Sequence, residues 1–147
     1  MSNYKLIQLT NTVVGAVEVD SFMPFGAITR KIQTSDDCCN TFDVTTSGSN
    51  LIYLNEPGYY NITYSASVVA GDAGIVTLSL VANGNTIYSV ASTAASGDTV
   101  NLTLPYTARV YKNCPSAPTN CPLSIQITLS GVAITGGTSN LLIEKTF

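Results

Sequence analysis

The four cysteines are the residues of this 147-residue chain best suited to chemistry, and they fall into two groups. Cys38 and Cys39 are adjacent; Cys114 and Cys121 flank a loop containing Pro115 and Pro118. Four thiols allow three pairings. A bridge between neighbouring residues is strained, so one or two disulfides would join residues 33–41 to residues 112–122. A four-thiolate zinc site built from Cys38, Cys39, Cys114 and Cys121 has the right ligand number, but these spacings depart from the usual short ones. Free thiols are the ordinary state in a reducing cytoplasm. All three readings stay open.

Other reactive groups are scarce. There is no histidine, which removes the commonest general base, the commonest zinc ligand and every nucleophile that needs an imidazole partner. Asp36, Asp37 and Asp43 cluster in a polar stretch, which reads as a solvated acidic loop, with a weak calcium site as the alternative. Nothing around them suggests the cleft of a carboxylate-pair hydrolase. The chain is therefore not expected to be an enzyme, and no cofactor is expected. Asn61-Ile62-Thr63 and Asn101-Leu102-Thr103 match the glycosylation pattern. Both fall inside expected strands of a Thr-rich chain, and both read as coincidence.

Composition narrows the partners. Charged residues make up 10 %, against roughly 25 % in typical domains. Between Pro57 and Gly97 the only charged residue is Asp72. So bare a surface invites self-association, and burial in an oligomer is expected. The net charge of −3 with six scattered basic residues speaks against nucleic acid, which needs clustered Lys and Arg. No apolar run reaches the ~18–20 residues of a membrane span, so no membrane insertion is expected. The first residues lack the basic start and apolar centre of a signal peptide, so folding in a cytoplasm is expected.

The elements that position these residues are strands. Residues 1–11 read as a polar arm, residues 12–19 as a first strand, residues 21–26 as an apolar link and residues 27–32 as a second strand. Short strands follow at 42–46 and 51–54. Pro57-Gly58 turns the chain into a long strand in which Tyr60, Ile62, Tyr64, Ala66 and Val68 share one face. Asn83-Gly84 predicts a two-residue hairpin in which Leu80 faces Ile87 and Val76 faces Ala91. Residues 99–111 alternate cleanly, with Pro105 demanding a bulge or an edge position. Residues 123–129 alternate again, and Gly136-Gly137 reads as the turn into a last strand over 140–145. About ten strands without a helical stripe mean one all-β domain: sandwich, jelly roll or barrel.

Gly58-Tyr59-Tyr60-Asn61-Ile62 after Glu56-Pro57 resembles the glycine–x–aromatic strand of the tumour-necrosis-factor-like (complement globular-head) jelly roll. Leu78 to Gly84 resembles that family's next hairpin, and Gly97-Asp98-Thr99-Val100-Asn101-Leu102 its Gly-Asp-x-Val strand entry. Leu129-Ser130-Gly131-Val132 and Leu141-Leu142-Ile143 resemble its last strands. The order agrees over about residues 40–147. The resemblance implies a ten-stranded, two-sheet antiparallel jelly-roll sandwich that assembles as a homotrimer. It makes Tyr60, Ile62, Tyr64, Tyr88 and Tyr106 candidates for the trimer interface or the core beneath it.

Val13-Val14-Gly15-Ala16-Val17-Glu18-Val19 and Phe25-Gly26-Ala27-Ile28-Thr29-Arg30 resemble small phage and prophage proteins of the virion surface. This implies a head fibre or capsid decoration. Residues 1–32 would supply an arm, first strands and an anchor to a capsid or other virion protein, and residues 33–147 the jelly-roll body. A host-surface glycan is the ligand such a protein would meet. The alternative is a binding module of a bacterial or spore surface, resembling the globular domain of collagen-like exosporium glycoproteins, although no collagen repeat is present.

Overall fold

The computed structural model describes residues 5–32, 42–44, 50–110 and 123–146. They form ten strands: β1 (Lys5–Asn11), β2 (Ala27–Ile32), β3 (Phe42–Val44), β4 (Ile52–Leu54), β5 (Gly58–Ala70), β6 (Gly74–Ala82), β7 (Asn85–Ala94), β8 (Thr99–Val110), β9 (Leu123–Gly131) and β10 (Ile134–Lys145). They pair antiparallel into two five-stranded sheets, β2-β1-β10-β5-β8 and β3-β4-β9-β6-β7. This is the two-sheet jelly-roll sandwich.

Alternation writes the core. Along β5, Tyr60, Ile62, Tyr64, Ala66 and Val68 are buried, and Ile7, Leu9, Leu102, Leu104, Leu141 and Ile143 share the interior on neighbouring strands. The second sheet answers with Val76, Leu78, Leu80, Ile125, Ile127 and Leu129. Two edge-to-face ring pairs bind the layers at different levels: Phe42 with Tyr60 at 6.0 Å and Phe25 with Tyr64 at 6.1 Å, the geometry that aromatic quadrupoles favour. Pro105 lies on β8, an edge strand with an unbroken register to β5; its missing N–H faces no ladder.

The structure corrects four expectations. Residues 5–11 belong to an inner strand, because Lys5-Ile7-Leu9 is a buried stripe. Residues 12–19 form no strand beyond a single bridge from Val17 to Ile134. Instead residues 12–26 cross between the sheets, donating from Val14 and Val17 to β10 and from Asp20 and Met23 to β9. Val14, Val17, Met23 and Phe25 fill the gap between the layers. In the β6–β7 hairpin a bulge between Leu80 and Val81 slips the register by one, so Leu80 faces Tyr88 and Val76 faces Ser92. Gly136-Gly137 lies inside β10, which already begins at Ile134; the chain reverses two residues after Gly131.

Candidate interaction surface

One side of the sandwich is plugged by residues 12–26; the other is bounded by the edges of β7 and β8. Tyr88 and Ile87 on β7 are exposed, and Tyr106 on β8 is half-buried. A cleft of about 200 Å³ opens between these edges. Its floor is Ala82, Ala108 and Leu123; its rim carries Asn83, Asn85, Ile87, Tyr106 and Arg109. The Arg109 guanidinium lies 5.4 Å from the centre of the Tyr59 ring. Asn83, at φ +50° in the turn, uses its Oδ1 to accept from the Ser124 N–H (2.8 Å) and hydroxyl (3.1 Å).

The outer face of the β2-β1-β10-β5-β8 sheet is a second feature. Its middle rungs read Gln8–Leu142–Thr63–Pro105, then Thr10–Asn140–Ser65–Thr103, then Thr138–Ser67–Asn101. None of these side chains is charged. The β1–β10 part is internally bonded: Gln8 Nε2 (2.8 Å) and Thr10 Oγ1 (3.1 Å) both donate to Asn140 Oδ1. β7 is similar in character: ten residues, mostly exposed, without a charge or a proline. The other edges are blunted, β2 by Arg30 and Lys31, β8 by Pro105 and Arg109, and β3 by its three-residue length.

A cluster of paired charges sits at one end. Lys5 and Lys145 are 3 % and 5 % exposed, and both ammonium groups meet the Glu56 carboxylate, Lys5 in direct contact and Lys145 at 3.7 Å. Beneath them the Tyr60 hydroxyl donates to the Glu56 carbonyl. Burial first, then the Glu56 charge, hold its phenol well above the ordinary tyrosine range. Tyr64 is pushed up to about 12, by burial above all. Its hydroxyl and the nearby Ser139 Oγ meet no partner in hydrogen-bond geometry.

Of the residues singled out from sequence, Tyr60, Ile62 and Tyr64 lie in the core, Tyr106 at its margin, and Tyr88 in the open on β7. Cys38, Cys39, Cys114, Cys121, Asp36 and Asp37 lie outside the described residues, as does the side chain of Asp43. Among the described residues no three metal-ligating side chains converge, and no helix is long and apolar enough to cross a membrane. Sequence reading missed the Lys5–Glu56–Lys145 cluster. The signal was present: both lysines occupy the core phase of an alternating strand, which requires a buried partner.

No protein-family model matches the chain. No curated protein matches it either. Solved structures do. Murine APRIL superposes with a TM-score of 0.68 at 9 % identity, covering 98 % of this chain and 100 % of that one. The globular domain of zebrafish complement 1qA protein gives 0.66 at 8 %, covering 99 % and 98 %. The fold is the tumour-necrosis-factor-like jelly roll. Vertex protein P5 of phage PRD1 gives 0.60 at 15 % identity, covering 97 % of each chain. The jelly roll thus occurs in proteins of quite different names, and function has to be argued from this chain's own surface.

Proposed function

We propose that the chain is a non-enzymatic structural protein of a phage particle, a homotrimeric head fibre or capsid decoration that touches glycans of the host surface. The observation that carries this reading is the unguarded β7 edge beside the uncharged face of the β2-β1-β10-β5-β8 sheet. Among the described residues that edge has no charge, proline or cover, which makes it a template for association, while the β2, β3 and β8 edges are blunted. An edge of one copy seated on the sheet face of the next is a heterologous contact, which closes into a ring when the rotation permits. The likeness to a phage vertex protein and the implied trimers of this fold agree with it.

Attachment to a capsid or other virion protein is assigned to residues 1–32. There β2 is exposed along its whole length and carries Arg30 and Lys31. The strands that flank the two cysteine-bearing segments end near Ile32, Phe42, Val110 and Leu123, all at the end of the sandwich where Leu54 leads into Gly58. That placement favours disulfides between those segments.

Light scattering tests the assembly: a particle of three times the 15.4 kDa chain mass is expected, and a monomer overturns the reading. Thiol alkylation before reduction is expected to add nothing to the chain mass. Retention of labelled protein on purified bacterial cell walls tests adhesion.

A further inference from the structure

We propose that the groove over residues 13–24 binds an extended, basic and aliphatic segment of a partner protein, seated by its backbone against Phe22. The inference names a site and a partner chemistry for the attachment reading above and rests on it. It does not depend on which particle carries the protein.

Three observations carry it. The first is a free backbone edge. Met23 donates to the Ile127 carbonyl and Leu129 to the Ser21 carbonyl, which makes Phe22, bridged to Thr128, a non-hydrogen-bonded position of this short ladder. The N–H and C=O of such a residue point away from the strand beside it. Among the described residues neither group of Phe22 has a partner. An edge of this kind accepts an added strand, and the pockets next to it select the side chains of that strand.

The second is the apolar surface around that edge. A groove of about 440 Å³ runs beside Phe22, with Val14, Ala16, Val17 and Pro24 in its walls. Phe22 is 40 % exposed and Val13 79 %. The core does not need either, because Val14, Val17, Met23 and Phe25 already fill the gap between the layers. Exposed apolar side chains gathered beside a groove mark a surface for another protein.

The third is charge, which selects the partner. Residues 12–26 carry Glu18 and Asp20 and no lysine or arginine. Both carboxylates are exposed, and neither has an ion-pair partner among the described residues. Glu18 lines the groove itself. Such a rim attracts Lys and Arg and turns away an acidic chain. A second copy offers only β2, whose Arg30 and Lys31 are fixed on a strand already paired with β1. A free segment enters the groove without bringing a sandwich with it. The groove lies on the flank opposite the β7 and β8 edges, so the ring of copies proposed above leaves it open.

Fluorescence anisotropy on the full-length protein tests this, with short labelled peptides of alternating Lys and Val, Glu and Val, or Lys and Ser as separate probes. The Lys–Val peptide is expected to bind at least tenfold more tightly than the other two. Methylating its backbone nitrogens, which blocks pairing with Phe22, is expected to cost at least tenfold. Phe22→Ser is expected to weaken the Lys–Val peptide at least tenfold with the oligomer mass unchanged. The pair Glu18→Gln and Asp20→Asn is expected to do the same, and Asn tolerates the φ of +65° at position 20. Equal binding of any control peptide, or full binding in either variant, overturns the site. A changed oligomer mass in Phe22→Ser makes the groove a contact between copies and overturns it too. If the Lys–Val peptide fails while mass spectrometry finds the chain in purified particles, this site falls and attachment stands. If the peptide binds and the chain is absent from particles, the attachment reading falls.

Discussion

Tyr64 shows how a single side chain sets a condition on the whole fold. Its phenol is buried, raised to about 12, and Tyr60 is raised further. Both folded values exceed the unfolded one of 10.0. The unfolded chain therefore loses these protons first, and the stability they help maintain below pH 10 drains away as pH rises towards 12. Each group contributes at most about 1.4 kcal/mol per pH unit across that window. Alkaline titration followed by phenolate absorbance is expected to show Tyr60 and Tyr64 ionising only with unfolding. Tyr64→Phe, made together with Ser139→Ala, removes two hydroxyls that lack partners. It is expected to leave neutral-pH stability unchanged or raise it by up to about 1 kcal/mol, and to move the alkaline midpoint upward. The opposite holds at Glu56. Replacing it with Gln leaves two buried ammonium groups facing a neutral amide, and calorimetry is expected to show a loss of about 2 kcal/mol, moderated because the Glu56 side chain is 36 % exposed.

At the scale of elements, two glycines with the same backbone sign make opposite demands. Gly84 in the β6–β7 turn has φ +81° and open space where a Cβ would project. Gly84→Ala is expected to cost about 1–2 kcal/mol, the backbone term alone. Gly131 has φ +87°, and a Cβ there would sit 1.9 Å from the Ile75 carbonyl oxygen. Gly131→Ala is expected to exceed about 4 kcal/mol, the range reserved for severe packing faults; urea denaturation of the two variants separates them. The same contrast explains what was legible in sequence. Alternation on β5, β8 and β9 and the Asn83-Gly84 turn are local signals, and they placed strands well. Residues 12–26 were misread because their hydrogen bonds go to β9 and β10, more than a hundred residues away. The β6–β7 slip was hidden because a bulge leaves no mark in a Thr- and Ser-rich strand. The cleft was invisible for a related reason: Asn83 and Tyr106 line it together only because β7 and β8 border the same open side.

For the whole molecule, the low charge of the chain has a spatial meaning. Among the described residues the sparse charges lie mostly at the two ends of the sandwich and on two of its four edges, and leave bare the β7 edge and the middle of one sheet face. Ala91→Lys on β7 and Thr103→Lys on that face are each expected to yield a folded protein of monomeric mass by light scattering, with an unchanged far-ultraviolet dichroism spectrum. Trimers that survive both substitutions would place the contact elsewhere.

The pairing of β1 with β10 also fixes when the fold can be completed. Residues 5–11 lie alongside residues 139–145, so β1 has no neighbour on that flank until all the strands between it and β10 have been made. Sheets closed by contacts so distant in sequence form slowly and expose their edges meanwhile. A chain cut short before β10 lacks the strand that joins β1 to β5. A product that stops before β10 is thereby expected to be excluded from any assembly that needs the finished sandwich.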